Sequence, residues 1–169
     1  MKKLFLSALA VFAFTAANAQ EQTKEGKWLI EANTGSHATG NTAISFYSNE
    51  FGSSFGLGAD GGYFIMDNLA IKGGIGFGST SPKGGSSISS FSYKIGGQYY
   101  IMGKIPVGLD YTGTSSEGIN TSFVGVEGGY AVFLGDNVAI TPKLRYNNTL
   151  DKEKAVSSFQ GLVGFSLFF

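Results

Sequence analysis

The chain has 169 residues, with 12 basic and 12 acidic side chains and no net charge. This length suits one domain, and the balanced charge excludes the basic stripe that nucleic-acid binding requires. Because the sequence has no cysteine, disulfide bonds, a thiolate nucleophile and a cysteine metal site are excluded. The 26 glycines, 15 phenylalanines and 8 tyrosines favour a β-protein with close backbone contacts over a helical protein.

The N-terminus has the pattern of a secretory signal peptide. Lys2 and Lys3 precede an apolar stretch over residues 4–16, and Ala17-Asn18-Ala19 has the form of a cleavage site. We therefore predict a signal peptide over residues 1–19, cleaved after Ala19, and a single domain over residues 20–169. No later stretch is apolar for long enough to predict a transmembrane helix.

From residue 27 onwards, polar and apolar side chains alternate with a period of two, which predicts β-strands. In the stretch Val138–Asn147, Ile140 and Leu144 share one face, whereas Lys143 and Arg145 share the other. The alternation defines eight predicted strands, over residues 27–37, 50–65, 69–77, 91–101, 105–112, 123–134, 138–147 and 156–169.

Three tight turns alternate with four longer connections. Met66-Asp67-Asn68, Gly103-Lys104 and Gly135-Asp136-Asn137 consist of residues that tolerate turn geometry. The longer connections are predicted over residues 38–49, 80–90, 115–120 and 148–154. Eight antiparallel strands whose two ends lie on one side need this pattern of connections. The sequence therefore predicts an all-β fold, an eight-stranded antiparallel up-and-down β-barrel.

The polar face of these strands carries equal numbers of acidic and basic residues. In a soluble barrel these residues would be solvated, but in a membrane barrel they would meet in a narrow lumen where charges must be paired. We therefore predict a transmembrane barrel with an apolar exterior and a salt-bridged lumen. The predicted lumen charge network consists of Glu31, Asp60, Lys72, Lys94, Asp110, Glu127, Lys143 and Arg145.

Strand order predicts the partners within this network. Asp60 would lie beside Lys72, and Lys94 beside Asp110. Glu127 would lie beside Lys143 or Arg145 on the next strand. Closure of the barrel between its first and last strands would bring Gln160 beside Glu31.

The positions of the aromatic residues and glycines also favour a membrane location. Trp28, Tyr63 and Phe169 lie on the apolar face toward the tight turns, and Phe77 and Phe91 lie toward the longer connections. Two aromatic girdles of this kind are typical of the two membrane interfaces. Glycines recur on the polar face, where they would leave room for large charged side chains inside a narrow barrel.

With its signal peptide, its eight alternating strands and its C-terminal Gly164-Phe165-Ser166-Leu167-Phe168-Phe169, the chain resembles the small outer membrane β-barrel proteins of Gram-negative bacteria. These include OmpX-like proteins and the transmembrane half of OmpA, and the chain looks most like the outer membrane protein beta-barrel domain family of Bacteroidetes. The resemblance implies that the outer-membrane insertion machinery reads the last strand during assembly. Phe169, Leu167 and Gly164 would form this assembly signal.

The sequence shows no pattern that predicts a cofactor or a metal site. Gly56-Leu57-Gly58-Ala59-Asp60-Gly61 matches a dinucleotide motif in letters only, because it lies inside a predicted strand rather than before a helix. His37 is the only histidine, which excludes a histidine metal cluster. Together with nearby serines, His37 leaves open a lipid-modifying enzyme.

Four functions remain open at this stage. The leading hypothesis is a non-enzymatic barrel of the outer membrane with a closed lumen and a structural or interaction role. The alternatives are a narrow channel or carrier for small solutes, the lipid-modifying enzyme, and a soluble secreted ligand-binding barrel. The expected partners are outer membrane lipids and the insertion machinery; the sequence identifies no partner for the extracellular loops.

Overall fold

The computed structural model describes residues 19–35 and 42–169. These described residues include one short helix, α1 (Ala19–Gln22), and no helix among them is long and apolar enough to cross a membrane. The strands are β1 (Trp28–Asn33), β2 (Ser45–Asn49), β3 (Gly52–Met66), β4 (Leu69–Pro82), β5 (Ile88–Ile101), β6 (Ile105–Ser116), β7 (Ile119–Gly129), β8 (Val132–Phe133), β9 (Val138–Thr149) and β10 (Ser158–Phe168).

The strands form one closed antiparallel sheet. β1 pairs with β3 on one side and with β10 on the other, and this second pairing closes the barrel. β2 continues the line of β1 along β3, and β8 continues the line of β7 along β9. The ten strands therefore occupy eight positions, and the prediction of an all-β, eight-stranded antiparallel barrel is confirmed.

Alternating side chains face the two sides of the barrel wall. On β9, Lys143 and Arg145 are buried inside the barrel, whereas the alternate residues Leu144 and Tyr146 are exposed on the outside. The same alternation runs through β3 to β6. The outer surface is consequently apolar, as Ile75 illustrates with 57% of its surface exposed.

The first strand differs from the prediction. Residues 27–37 were expected to form one strand, but β1 ends at Asn33, and His37 lies outside the described residues. Where the described chain resumes, Thr42 and Ala43 are buried inside the barrel. The next residues form β2, in a stretch that was predicted to be a loop. The side-chain period could not reveal this inward excursion, because both residues are small and compatible with a loop.

The connection predicted over residues 115–120 is also wrong, because it is a two-residue turn. Glu117 and Gly118 have φ angles of 47° and 83° and join β6 directly to β7. Two successive positive φ angles are typical of the hairpin turn whose twist matches the flanking strands. Glutamate rarely adopts such an angle, so a longer connection was predicted here instead of the two-residue turn.

Aromatic side chains fill the interior at the end that carries the tight turns. Phe64 and Tyr100 have ring centroids 5.7 Å apart, and the centroids of Phe133 and Phe168 are 5.3 Å apart. These four residues, here called the aromatic cluster, are almost fully buried. They face inward because they occupy the same alternate positions as the charged residues further along each strand.

The segment before β1 packs against the first tight turn at this end of the barrel. Thr23 is fully buried, and its hydroxyl donates to Asn68 Oδ1 at 2.6 Å. The backbone N–H of Asn68 donates to Thr23 O at 2.6 Å, and that of Gly26 donates to Phe64 O at 2.9 Å. The segment therefore extends the barrel wall beside the first tight turn.

Candidate functional site

The structure brings all eight charged residues of the predicted lumen network together inside the barrel. None has more than 8% of its surface exposed, although they come from seven different strands. Their inward direction follows from strand alternation, because each occupies an alternate, inward-facing position of its strand. Burial of this many ionised groups requires that each contacts an opposite charge.

Arg145 on β9 is the centre of one half of the network. Its guanidinium donates to both carboxylate oxygens of Asp110, with Nη1–Oδ2 and Nη2–Oδ1 distances of 2.6 Å. Nη1 also lies 3.0 Å from Glu127 Oε2, and Nε donates to Asn147 Oδ1 at 2.7 Å. The planar guanidinium therefore links β6, β7 and β9 with the two-pronged geometry that only arginine provides.

Glu31 on β1 is the centre of the other half. Its Oε1 atom lies 2.6 Å from Lys143 Nζ and 2.8 Å from Lys72 Nζ. The side chains of Asn33 and Ser166 also donate to this carboxylate, at 2.9 and 3.1 Å. One carboxylate thus connects β1 to strands on both sides of the barrel.

Further contacts join the two halves into one chain of alternating charge. Lys143 Nζ lies 3.3 Å from Glu127 Oε1, which connects the Glu31 half to the Arg145 half. On the other side, Lys72 Nζ lies 3.6 Å from Asp60 Oδ2, which Lys94 Nζ contacts at 2.9 Å. The whole sequence reads Lys94, Asp60, Lys72, Glu31, Lys143, Glu127, Arg145, Asp110.

Glycines on the inner wall provide the space for these side chains. A Cβ atom at Gly125 would overlap the guanidinium of Arg145, and one at Gly74 would overlap the carboxylate of Asp60. Glycine therefore occurs where a large charged side chain from a neighbouring strand lies against the inner wall.

The pairing predicted at the barrel closure differs in the structure. Ser166 rather than Gln160 lies opposite Glu31, and Gln160 lies opposite Arg145 on β9. The reason is that Trp28 and Phe169 exchange two backbone hydrogen bonds, which aligns the start of β1 with the end of β10. Asp110, which was predicted to lie beside Lys94, accepts two hydrogen bonds from the guanidinium of Arg145.

Sequence reasoning missed the neutral partners of the network. Gln98 accepts a hydrogen bond from Lys72 Nζ at 2.7 Å, and Thr42 donates from its hydroxyl to Asp60 Oδ1. Strand alternation could have identified Gln98, because it shares the inner face of β5 with Lys94. No signal in the sequence could have identified Thr42, because it enters the lumen from outside the regular strands.

The residues of the predicted assembly signal lie in β10, the strand that closes the barrel, or directly after it. Phe169 bonds through its backbone to Trp28, and its side chain is half exposed at the tight-turn end. Leu167 faces outward, whereas Gly164 faces the lumen beside Asn33. Their role in assembly remains a prediction.

The described residues hold no candidate metal site. Within residues 19–35 and 42–169, no group of three histidine, aspartate or glutamate side chains could hold a metal ion. His37, on which the lipid-modifying hypothesis rests, and its neighbour Ser36 lie outside the described residues, whereas the nearby Ser45 and Ser48 lie in β2.

The barrel fold is one already seen in bacterial outer membranes. No family model and no curated protein matches the sequence. The fold is similar to that of the Yersinia pestis outer membrane protein Ail in a phospholipid bilayer nanodisc, with a TM-score of 0.51 and 13% identity. This similarity covers 86% of this chain and 100% of that one.

Two further solved structures are similar at lower scores. The crystal structure of Ail has a TM-score of 0.44 and 14% identity, over 86% of this chain and 99% of that one. The N-terminal β-barrel domain of Pseudomonas aeruginosa OprF has a TM-score of 0.46 and 13% identity, over 86% of this chain and 98% of that one.

Proposed function

We propose that this chain is an integral outer membrane β-barrel whose lumen is closed, with a structural or interaction role and no enzymatic activity. The apolar outer surface supports the membrane location, because a soluble barrel would bury that face. Exposed aromatic pairs support it as well: the rings of Trp28 and Tyr63 at one end, and of Phe77 and Phe91 at the other, pack 4.9 and 5.2 Å apart. Ail, which has the same fold, is an outer membrane protein.

The observation that carries the proposal of a closed lumen is the continuous chain of ion pairs across the barrel. Beside Lys72, Lys94 and Gln98 lies a void of about 10 Å³, which is room for a single water molecule. A hydrated ion needs a wider continuous path than this. We infer that the paired side chains fill the middle of the lumen.

Two further layers support closure. Below the network, the aromatic cluster fills the tight-turn end with apolar side chains. At the same end, Gln22 and Thr23 of the N-terminal segment are buried, and Thr23 is hydrogen-bonded to the first tight turn. An ion would have to pass an apolar layer and a paired-charge layer in series, and each layer raises its energy.

Planar-bilayer recording tests whether the lumen is closed. The full chain is reconstituted, and its insertion is verified independently by protease protection of the barrel. We expect no steady conductance from the inserted protein. A steady conductance from the wild type would contradict closure and would favour the narrow channel.

Membrane location and assembly are tested by cell fractionation. We expect the protein in the outer membrane fraction, soluble only with detergent, and we expect deletion of Phe169 to lower the amount of folded barrel. The substitution Phe169→Tyr is the matched control, because it keeps an aromatic terminus. A monodisperse protein without detergent would contradict the location, and unchanged levels after the deletion would contradict the assembly role.

A further inference from the structure

The end of the barrel that carries the longer connections holds an open cup of about 290 Å³. Five hydroxyl side chains line it, from four neighbouring strands, and we call this set the hydroxyl cup. Its members are Thr80, Ser90, Thr114, Ser116 and Thr121.

The hydroxyls form a continuous arc because the strand register places them side by side. Thr114 lies opposite Thr121 on β7, and Ser116 lies opposite Ser90 on β5. They share the inner face with Thr112, which lies one inward position closer to the charge network and donates to Asp110 Oδ1 at 3.1 Å. The cup therefore begins directly above the network.

One of these hydroxyls is buried without a partner. Thr114 has only 8% of its surface exposed, and no hydrogen-bond partner for its Oγ1 atom exists among the described residues. The hydroxyl of Ser92, opposite Thr114 on β5, is in the same condition. A buried hydroxyl without a partner destabilises a protein, so its presence on a cavity wall indicates that something else satisfies it.

The charges and apolar groups of the cup restrict the chemistry of that ligand. Glu117 and Lys154 line the same cavity and contribute one charge of each sign. The cup therefore offers no net charge to an ion. Ile88 and Ile119 add apolar surface beside hydroxyls that can each donate and accept.

We propose that the hydroxyl cup is a binding site for one neutral sugar ring, either a free monosaccharide or the terminal unit of a glycan. Such a ring carries several hydroxyls for the polar arc and C–H faces for the two isoleucines. The cavity volume is at the lower limit of small-molecule pockets, which suits one ring rather than an extended oligosaccharide. Binding at this site does not depend on whether the lumen conducts ions.

The test is saturation-transfer NMR on the full chain in lipid nanodiscs, with glucose, galactose and mannose as neutral probes. Glucuronate and glucosamine serve as the matched anionic and cationic probes. We expect at least one neutral hexose to bind at millimolar concentration and both charged sugars to bind more weakly. Absence of saturation transfer to all three neutral hexoses, or preferential binding of a charged sugar, would overturn the proposal.

Substitutions locate the site. Thr114→Val keeps the side-chain shape and removes the unpartnered hydroxyl, so we expect binding to weaken about three- to tenfold without loss of stability. Ser79→Ala, on the outer side of β4, is the control and should bind as the wild type does. Unchanged affinity of the Thr114→Val variant would overturn the assignment to the cup.

Methyl glycosides of the bound hexose distinguish the two sources of the sugar. A terminal glycan unit is linked through its anomeric oxygen, as the methyl glycoside is. Retained binding of the glycoside therefore supports a glycan end, and loss of binding supports a free monosaccharide. Both results require the cup to bind the unmodified hexose, so neither rescues the proposal if that binding fails.

Discussion

The middle and the outer end of the barrel interior are built from the same strands but satisfy their polar groups differently. In the middle, Arg145 and Glu31 each contact two opposite charges at 2.6 to 3.0 Å. In the hydroxyl cup, two residues further along β6 from Thr112, the hydroxyl of Thr114 has no described partner. Stability and ligand binding are therefore assigned to different levels of one lumen.

The two levels of the lumen should differ in how much a substitution lowers the free energy of unfolding. Removing a charge from the middle leaves its partner buried and unpaired, which is among the costliest changes in a protein. Removing the Thr114 hydroxyl from the cup leaves no described partner unpaired. Substitutions should consequently destabilise the barrel more in the network than at Thr114 in the cup.

The largest effect is expected for Arg145→Ala. The substitution leaves Asp110 without its two-pronged partner and Glu127 without a 3.0 Å contact, so we expect a loss of about 3–5 kcal/mol in the free energy of unfolding. Urea titration of the barrel in lipid vesicles measures this loss.

A double-mutant cycle separates pairing from packing in this prediction. Arg145→Ala combined with Asp110→Asn should recover part of the loss, because the second change removes the unpaired charge. Lys152→Ala, in the exposed connection between β9 and β10, is the charge-matched control and should change little. Strictly additive losses would show that the network does not act through charge pairing.

Gly58→Val should have the next largest effect. A Cβ atom at Gly58 would lie 2.9 Å from the backbone N of Ala43 and 3.0 Å from the carbonyl carbon of Thr42. Valine therefore forces the inward segment away from the wall and weakens the hydrogen bond of Thr42 to Asp60, at a cost of about 1–3 kcal/mol. The same urea titration measures the cost.

Gly61→Val is the matched control for this position. Gly61 faces outward on the same strand, and its nearest contact for an added Cβ atom is Gly73 O at 3.9 Å. We expect the control to leave stability unchanged or slightly raised, since valine is a better strand residue than glycine. Equal losses at both positions would mean that any side chain disturbs β3, and that the inward segment is not responsible.

The part of this architecture that follows strand alternation could be predicted from the sequence. The inward direction of Lys143 and Arg145 follows from a period of two, because one buried face leaves only one acceptable register. The closed barrel follows from eight such strands and their turns. Local patterns are sufficient here because each strand repeats the same choice at every second residue.

Two features that depend on contacts between distant segments could not be predicted: the buried segment at Thr42 and Ala43, and the partner of Glu31. The inward excursion at Thr42 and Ala43 interrupts a strand without a proline or a charged run to announce it. The partner of Glu31 depends on the two backbone hydrogen bonds between Trp28 and Phe169, which align the first and last strands of the barrel. Contacts between the first and last strands depend on the register in which the barrel closes. The local sequence pattern of each strand does not determine that register.

A smaller effect is expected where the N-terminal segment meets the first tight turn. Thr23→Ala removes the 2.6 Å hydrogen bond to Asn68 and should cost about 1 kcal/mol in the free energy of unfolding. Limited proteolysis should also cleave the segment before β1 faster. Lys24→Ala, which removes only an exposed pair with Glu21, should change neither measurement. If the two variants behave alike, the hydrogen bond between Thr23 and Asn68 does not hold the segment against the barrel.

The smallest effect is expected for Thr114→Val, and the comparison with Thr112→Val makes it informative. The two threonines lie on the same face of β6, and both are buried. Thr112 donates to the carboxylate of Asp110, so valine there should cost about 1.5–3 kcal/mol, the usual contribution of a hydrogen bond to a charged group.

At Thr114 the same change removes a hydroxyl that has no described partner, so the free energy of unfolding should stay the same or rise slightly. Urea titration of both variants measures the difference between two positions that share strand, face and substitution. A loss at Thr114 as large as that at Thr112 would mean that its hydroxyl already has a structural partner within the folded protein. The boundary between the network and the cup would then lie higher in the barrel than the geometry indicates.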